Sequence, residues 1–401
     1  MSSELPLGWE VKTLEEVAKV VGGGTPSTKE PAYFDGDVPW LTPKDLSGYS
    51  DRHVARGERN ISEEGLAASA AQLLPVGTVL VSSRAPIGYV ALAASELTTN
   101  QGFKSLVLGT DQLPEFYYYL LRASTARLES EANGSTFTEI SGAGMKRVRV
   151  PVPPLAEQRA IASVLGALDD KIESNRRLSE LLLEECSVRF RLAFPQLGRD
   201  PRVCSDPLPV DWTTGSLGEL VDVVMGQSPP GESYSENPAG GPRLVQGMGG
   251  LGERYPNSPL FTSEPKKVVG PGTLLMTVRA PVGELNVSLE ETCLGRGVCG
   301  IAADCPGFAE FLMRALKSRW HGEEGGTVFP AVNRSQIVGL QVVVPPADEI
   351  DRFEAFARPL REAVTGLHAE TERLANARDA ILPKLVSGQL RVQNVEEAVA
   401  A

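Results

Sequence analysis

Two stretches of the chain carry apolar residues with a heptad period. After Pro154 they recur at alternating steps of three and four residues as far as Cys186, and after Pro346 they recur every seven residues. This pattern predicts two coiled-coil helices of about 30 to 35 residues, on the order of 45 to 50 Å long. The predicted contact positions are Ile161, Leu165, Leu168, Ile172, Asn175 and Leu182 in the first helix and Phe353, Leu360, Leu367, Leu374 and Ile381 in the second.

Two residues interrupt these apolar stripes. Asn175 occupies an a position, where a polar side chain costs stability but fixes the register and orientation of the partner helix. Pro359 lacks a backbone donor and clashes with the preceding turn, so it predicts a kink or a later effective start of the second helix. The alternative is a pair of ordinary core helices, each packed on its own domain. The length and the strict period favour the coiled coil.

The remaining pattern of short strands and turns occurs twice. "LPLGWEVKTLEEVAKVVGGGTPS", from Leu5, aligns with "LPVDWTTGSLGELVDVVMGQSPP", from Leu208, with 9 identities in 23 positions. Further on, "TVLVSSRAPIGYV" aligns with "TLLMTVRAPVGEL", and "GSTFTEISGAGMKRVRVPVPP" aligns with "GTVFPAVNRSQIVGLQVVVPP". Each copy ends in a Val/Pro run that stops a strand before a helix. The chain therefore contains one domain built twice, and the paired tryptophans Trp9 and Trp212 are expected in its two cores.

Repeat and helices together predict a mixed α/β protein with a pseudo-twofold internal repeat. Because the helices follow corresponding places in the two copies, we expect them to pack antiparallel, with a globular domain at each end. The predicted boundaries are 1–153 for the first domain, 154–198 for the first helix, 199–345 for the second domain, and 346–401 for the second helix and tail.

Composition indicates a globular chain outside the membrane. Of 401 residues, 42% are apolar and 22% are charged, and no apolar run approaches the ~18 to 20 residues of a spanning helix. The first residues show no basic and apolar regions of a signal peptide, so a cytoplasmic location with no membrane partner is expected. The five cysteines form no Cys-x-x-Cys pair, and buried reduced thiols are expected rather than disulfides or zinc.

Charge argues against a stand-alone nucleic-acid binder. The formal net charge is -12. Residues 1–154 carry 14 basic and 18 acidic side chains, and residues 200–345 carry 11 and 16. Neither half is the basic module that contacts with many phosphates would predict.

Motifs of catalysis are missing from the sequence. "GGGTPSTK" has the composition of a phosphate-binding loop without its spacing, and no Gly-x-Gly-x-x-Gly follows a strand. No Asn/Asp-Pro-Pro-Tyr/Phe tetrapeptide of amino-methyltransferases occurs, and the three histidines are scattered. The chain is predicted to be a binding protein and not an enzyme.

The repeated Arg-Ala-Pro corner supplies the first candidate binding residues. Arg84 and Arg279 follow a strand, where a guanidinium can reach a phosphate or the edge of guanine. Because both recur while the inserts diverge, a scaffold or phosphate role, including pairing with an internal carboxylate, is favoured over base reading. Amides suit adenine and guanidinium suits guanine at the neighbouring "TTNQGFK" and "LGRGVCG". The other candidates for DNA binding, several of which could be ordinary turn residues, are Lys29, Thr42, Lys44, Asn100, Gln101, Lys104, Ser135, Thr136, Arg243, Gln246, Arg296, Thr327, Asn333 and Arg334.

Taken together, these motifs resemble those of the specificity subunit of type I restriction-modification systems. The resemblance spans essentially the whole chain and is most specific at "PVPPLAEQRAIASVLGALDDKI", from Pro151, and "RDAILPKLVSGQLRV", from Arg378. The second helix opens with "PPADEIDRFEAFARPL" and lacks the Leu-x-Glu-Gln seen as Leu155, Glu157 and Gln158. This departure argues against assuming that the two helices engage two methyltransferase subunits equally.

The resemblance implies two target-recognition domains, each reading half of a bipartite, asymmetric target in double-stranded DNA. It implies that the helices dock two modification (methyltransferase) subunits and that restriction (motor-nuclease) subunits join the assembly. It further implies a non-catalytic chain that binds no cofactor itself, with S-adenosylmethionine, ATP and Mg on the partner subunits. The alternatives are a specificity subunit of a methylation-only or phage-exclusion system, or a coiled-coil adaptor that binds only proteins.

Overall fold

The computed structural model describes residues 5–132, 138–202, 207–321 and 331–392, which form two compact units. Unit 1 comprises Met1–Arg177 and His368–Ala401, and unit 2 comprises Leu178–Leu367. Each unit therefore holds one copy of the repeat together with part of both long helices.

The first copy consists of short strands and helices followed by a long helix. Its strands are β1 (Glu10–Thr13), β2 (Ala18–Gly22), β3 (Phe34–Leu41), β4 (His53–Val54), β5 (Arg59–Ile61), β6 (Val79–Ser83), β7 (Ile87–Ala93), β8 (Thr98–Thr99), β9 (Lys104–Leu108) and β10 (Arg149–Val152). Its helices are α1 (Leu14–Val17), α2 (Glu63–Ala67), α3 (Pro114–Arg122), α4 (Thr125–Ser130), α5 (Gly142–Arg147) and the long α6 (Leu155–Ala193). The sheets have the orders β1-β10, β2-β9-β6-β7-β4 and β5-β3-β8.

The second copy follows the same plan. Its strands are β11 (Thr213–Ser216), β12 (Asp222–Met225), β13 (Tyr234–Ser235), β14 (Arg243–Val245), β15 (Phe261–Thr262), β16 (Val268–Val269), β17 (Leu274–Thr277), β18 (Leu285–Val287), β19 (Thr292–Leu294), β20 (Val298–Ala302) and β21 (Gln341–Val344). Its helices are α7 (Pro306–Ala315), α8 (Lys317–His321), α9 (Arg334–Val338) and the long α10 (Ala347–Val386). The sheets have the orders β11-β21, β12-β20-β17-β18 and β13-β15-β14-β19-β16.

The repeat extends to the hydrogen-bond register of the strands. Glu10 pairs with Val152 where β1 meets β10, and the corresponding pair of β11 and β21 is Thr213 with Val344. The parallel pairing of β3 with β8 recurs between β14 and β19. Because a one-residue slip would turn every side chain to the opposite face, the shared register gives both copies the same inward and outward positions. The mixed α/β fold with an internal repeat is confirmed.

Both predicted core tryptophans are buried where a domain joins its long helix. Trp9 Nε1 donates to Glu157 Oε2 at 2.9 Å, and Trp212 Nε1 donates to Glu349 Oε1 at 3.3 Å. The tryptophan and the first turn of the following helix therefore form one unit of packing in each copy.

The two long helices exceed the predicted length, with 39 residues in α6 and 40 in α10. The prediction that Pro359 marks an effective start is wrong, since α10 begins twelve residues earlier, at Ala347. Pro359 and Ala355, whose carbonyl loses its helical donor, are both exposed, so water can satisfy that carbonyl.

Within each unit the two helices run antiparallel, as predicted. In unit 1, Asp169 pairs with Arg378 at 2.6 Å, and Asn175 contacts Glu370 further along α6 and earlier along α10. In unit 2, the Phe194 ring at the end of α6 lies 5.7 Å from the Phe353 ring, and Arg189, earlier in α6, lies over the ring of Phe356, later in α10. The predicted stripe residues are all buried or half-buried. Those near the helix ends join the domain cores: Ile161, Leu165 and Ile381 in unit 1, and Phe353 and Leu360 in unit 2.

Glu157 and Gln158 of the Leu-x-Glu-Gln sequence in α6 contact residues of their own domain. Glu157 bonds Trp9 and Arg391, and the buried Gln158 accepts from Leu113 N–H at the start of α3. In the second copy, Glu354 Oε2 accepts from backbone N–H groups at the start of α7, at 2.7 and 3.1 Å. Glu354 thus replaces Gln158 as a cap. The departure in α10 is thus accompanied by a different cap inside the second domain.

Candidate nucleic-acid interface

Each Arg-Ala-Pro corner is held by one buried hydroxyl. In the first copy, Ser82 Oγ accepts from Tyr89 N–H at 2.8 Å and donates to the Pro86 carbonyl at 2.7 Å. Thr277 Oγ1 makes the same two bonds in the second copy, at 2.9 and 2.6 Å. Both proline peptide bonds of the corners are cis. The corner is therefore one local structure used twice, and it fixes the backbone that carries the arginine.

Arg84 lies half-exposed at the first corner and is paired with a carboxylate. Its Nη1 lies 3.4 Å from Glu139 Oε2, and Lys104 Nζ lies 3.3 Å from Glu139 Oε1. Lys104 is largely enclosed, because its ammonium also reaches Ser83 Oγ and the Gln101 carbonyl, at 3.3 and 3.2 Å. One carboxylate thus lies between two cations.

The second corner has the arginine without the carboxylate. Ile140 N–H bonds to Ser83 O, and the corresponding bond runs from Val332 N–H to Val278 O. Position 139 therefore corresponds to Ala331, which bridges Arg279 through the backbone. Within the described ranges, Arg279 has no carboxylate partner.

Three loops of the first copy meet at the corner. Thr42 and Lys44 after β3, Arg84 at the corner, and Asn100 after β8 line one groove of about 450 Å³. Ser47 and Tyr89 complete its wall. Four candidates from three separate segments of the sequence thus share one surface with hydroxyl, amide and cationic groups.

Register assigns the equivalent positions in the second copy. Asn100 N–H bonds to the Leu41 carbonyl, the last residue of β3, and Gly295 N–H bonds to the Val245 carbonyl, the last residue of β14. The residue that follows each strand is Thr42 in one copy and Gln246 in the other. Gln246, like Thr42, was predicted from the insert alone.

Gln101 and Arg296 are a second pair of candidates at equivalent positions in the two copies, and each contacts a hydroxyl residue. Thr25 Oγ1 donates to Gln101 Oε1 in the first copy, and Arg296 Nε donates to Ser228 Oγ at 3.2 Å in the second. Gln101 and Arg296 are both exposed. Thr277 pairs with Val298, and Val278 N–H bonds to the Gly297 carbonyl, so the segments that lead to Arg279 and Arg296 lie side by side.

Lys44 of the groove and several of the remaining candidates also bond to neighbouring residues of their own domain. Lys44 bonds Glu58 at 2.8 Å, and that bond and charge raise the pKa of Lys44. Arg243 pairs with Glu290 at 2.8 Å and lies over the Phe261 ring. Asn333 caps α9 by accepting from Gln336 N–H, and Arg334 donates to the Val223 carbonyl at 3.1 Å. Lys29 is exposed, and Ser135, Thr136 and Thr327 lie outside the described residues.

The sequence prediction missed Glu139, Ser82 and Thr277. The signal for Glu139 lies in the aligned "GSTFTEIS" and "GTVFPAVN", where a carboxylate stands opposite alanine. Ser82 and Thr277 are aligned hydroxyl residues two positions before each arginine, a match that identity alone does not reveal.

Neither a metal cluster nor a membrane span occurs in the part of the chain that is described. No group of three His, Cys, Asp or Glu residues there could hold a metal ion. No helix among the same residues is long and apolar enough to cross a membrane. Of the described cysteines, Cys186, Cys293 and Cys299 are buried thiols and Cys305 is half-buried.

Comparison with known proteins gives consistent relatives. A family profile described as the type I restriction modification DNA specificity domain matches residues 6–184. The chain is 32% identical over 414 residues to the type I restriction enzyme MjaIX specificity subunit of Methanocaldococcus jannaschii, covering 98% of this chain and 96% of that protein. It is 28% identical over 187 residues to the EcoR124I/EcoR124II specificity subunit of Escherichia coli, covering 45% of each. The crystal structure of a type I restriction-modification S subunit from M. genitalium has the same fold, with a TM-score of 0.59 and 17% identity over 96% of this chain and 98% of that one.

Proposed function

Because the chain belongs to the family of type I restriction-modification specificity subunits, we propose that its two repeated domains each read one half of a bipartite, asymmetric target in double-stranded DNA. The observation that carries this proposal is a shared framework with divergent side chains at one edge. Strand register and corner bonds are the same in both copies. At equivalent edge positions, the first copy has Thr42 where the second has Gln246, and it has Gln101 where the second has Arg296.

Chemistry at these positions suits base recognition. An amide can donate to and accept from the adenine edge, and a guanidinium can donate twice to guanine. The loops that carry them lie at the ends of rigid strands, which is where a scaffold commonly presents binding residues. Equal frameworks with different edge chemistry favour two half-sites of different sequence.

We further propose that the long helices bind modification (methyltransferase) subunits and that restriction subunits join the same assembly. Leu178 and Leu181 of α6 are 45% and 58% exposed. Exposed leucines on a long helix favour a protein partner. Partner subunits that enclose the DNA would also supply positive charge that this acidic chain lacks.

The chain is proposed to be the non-catalytic member of this assembly. S-adenosylmethionine, ATP and Mg²⁺ are assigned to the partner subunits in this proposal. Its contribution is the choice of DNA sequence.

Selection from a pool of random duplexes tests the proposal. The chain is purified with a modification subunit of the same system, and bound DNA is recovered and sequenced. The proposal predicts two short defined sequences separated by a fixed, undefined gap. Recovery of unenriched DNA by a complex that is folded and assembled contradicts the proposal and favours a protein adaptor.

A further inference from the structure

The two corners differ by one charge at an equivalent backbone position. Glu139 in the first copy and Ala331 in the second each precede the residue whose N–H bonds back to the corner strand. The two carboxylate oxygens of Glu139 face different cations, Arg84 at 3.4 Å and Lys104 at 3.3 Å.

The second copy has neither the anion nor the second cation. Lys104 corresponds to Cys299, a fully buried thiol in β20. Arg279 stands opposite the alanine, and no carboxylate in the described ranges pairs with it. The corner arginine is therefore held by an ion pair in the first domain, whereas in the second domain it has no such pair among the described residues.

We propose that Glu139 is a positioning residue that divides the work of the two corner arginines. It holds Arg84 against the groove, where the guanidinium is presented to a base edge, and it keeps Arg84 and Lys104 from binding phosphate. Arg279, with Ala331 beside it, binds a DNA phosphate. The inference rests on the proposed function, since it assigns groups of the DNA target to the same surface.

The physical basis is competition between two anions for one cation. A phosphate that approaches Arg84 must displace a carboxylate that is already in contact, whereas a phosphate that approaches Arg279 meets no carboxylate partner among the described residues. Each phosphate neutralised by a free cation steepens the dependence of log K on log salt by about 0.9. The two arginines should therefore differ in salt dependence, although the repeat makes them look alike.

The experiment compares matched variants in the full complex with modification subunits, on a duplex that carries the selected target. Binding constants are measured between about 50 and 200 mM salt, the range in which the phosphate contribution is steep. Arg279→Ala should make the slope shallower by about 0.9 with an unchanged selected sequence. Arg84→Ala should leave the slope nearly unchanged and relax one base pair of one half-site.

Exchange of the charge gives the converse result. Glu139→Ala and Glu139→Gln free two cations, so the slope should steepen by about 0.9 to 1.8 and base choice in the same half-site should relax. Ala331→Glu should make the slope shallower by about 0.9. Glu129→Ala, which removes an exposed carboxylate from α4 in the same domain, controls for the change in net charge.

Two results overturn the inference. One is an equal slope change for Arg84→Ala and Arg279→Ala, and the other is a Glu139→Gln complex that keeps both the slope and the base choice of the parent. Thermal unfolding of each variant identifies folding defects. If the parent complex selects no sequence at all, the proposed function fails before this inference is tested. If the parent selects a target, only the role of Glu139 is judged.

Discussion

Asn175 of α6 donates a 2.8 Å hydrogen bond from Nδ2 to Glu370 Oε2 of the antiparallel α10. Asn175 is 1% exposed at a position that otherwise takes apolar residues. Its hydrogen bond is the largest of the effects that hold the pKa of Glu370 below its usual value. A buried amide with one charged acceptor on the facing helix specifies where that helix must lie.

Replacement of Asn175 by leucine should therefore raise stability and reduce specificity. The leucine buries apolar surface in place of a polar group, so the thermal unfolding midpoint should rise. Loss of the registering bond should allow α6 to pair with other chains, which size-exclusion chromatography with light scattering detects as oligomers. A variant with a lower midpoint and no change in mass contradicts this role, and Ser179→Leu on the same helix serves as the comparison.

The buried carboxylate of Glu310 should make the stability of the second domain sensitive to acid. It is fully buried and accepts from Arg254, Arg361 and Arg314, at 2.5, 2.8 and 3.0 Å. Burial raises the pKa of Glu310, but the three arginines, Arg254 foremost, outweigh it and lower the pKa to about 2. Because the folded pKa lies below the unfolded value of about 4.3, the stabilisation is present above pH 5 and is lost as the pH falls toward 2.

The contribution is on the order of 3 kcal/mol at neutral pH. Glu310→Gln should flatten the dependence of the unfolding free energy on pH between about 5 and 2, as followed by urea denaturation. The exposed Glu253→Gln should retain the steep dependence. A Glu310→Gln profile parallel to that of the parent chain would show that the buried carboxylate does not produce it.

The corner hydroxyls should each stabilise one domain. Ser82→Ala leaves the Tyr89 N–H without its acceptor, and Thr277→Val does the same to Glu284 N–H with little change of shape. Each variant should lose about 1 to 3 kcal/mol of unfolding free energy, measured by denaturant titration. Ser50→Ala, in an exposed loop, should change it by less than about 0.5 kcal/mol. Similar losses for all three variants are incompatible with a special role for the corner.

Exchange of Gln101 and Arg296 should change the DNA target one half at a time. Arg296→Gln should convert a guanine preference into an adenine preference at one base pair, because an amide matches the adenine edge. Gln101→Arg should do the converse in the other half-site. The discrimination expected is about 1 to 3 kcal/mol, or roughly 5- to 150-fold in binding constant. Selection from random duplexes measures the base preference of both variants. A motif that is unchanged in either variant would show that the substituted side chain does not contact a base.

The repeat, the two helices and the arginine corner were predictable because each depends on local sequence or period. The heptad stripe is a property of one segment, and the corner needs only Arg-Ala-Pro-x-Gly after a strand. Thr42, Lys44, Arg84 and Asn100 were identified one by one from their chemistry, but their common groove depends on how three loops meet.

Long-range partners escaped prediction because neither residue of such a pair signals the other. Glu139 lies 55 residues from Arg84. Gln158 looked like a partner-binding motif, yet it caps α3 of its own domain. Pro359 predicts a helix break from its own backbone, whereas the solvent exposure that tolerates it depends on which face of α10 packs.

Single-molecule sequencing of modified bases tests whether this chain chooses the DNA sequence. The cells carry a modification gene of the same system, with this reading frame intact, deleted or altered at Arg296. We expect a bipartite methylated motif that disappears on deletion and changes in one half with Arg296→Gln. A methylation pattern that persists unchanged after deletion would contradict it.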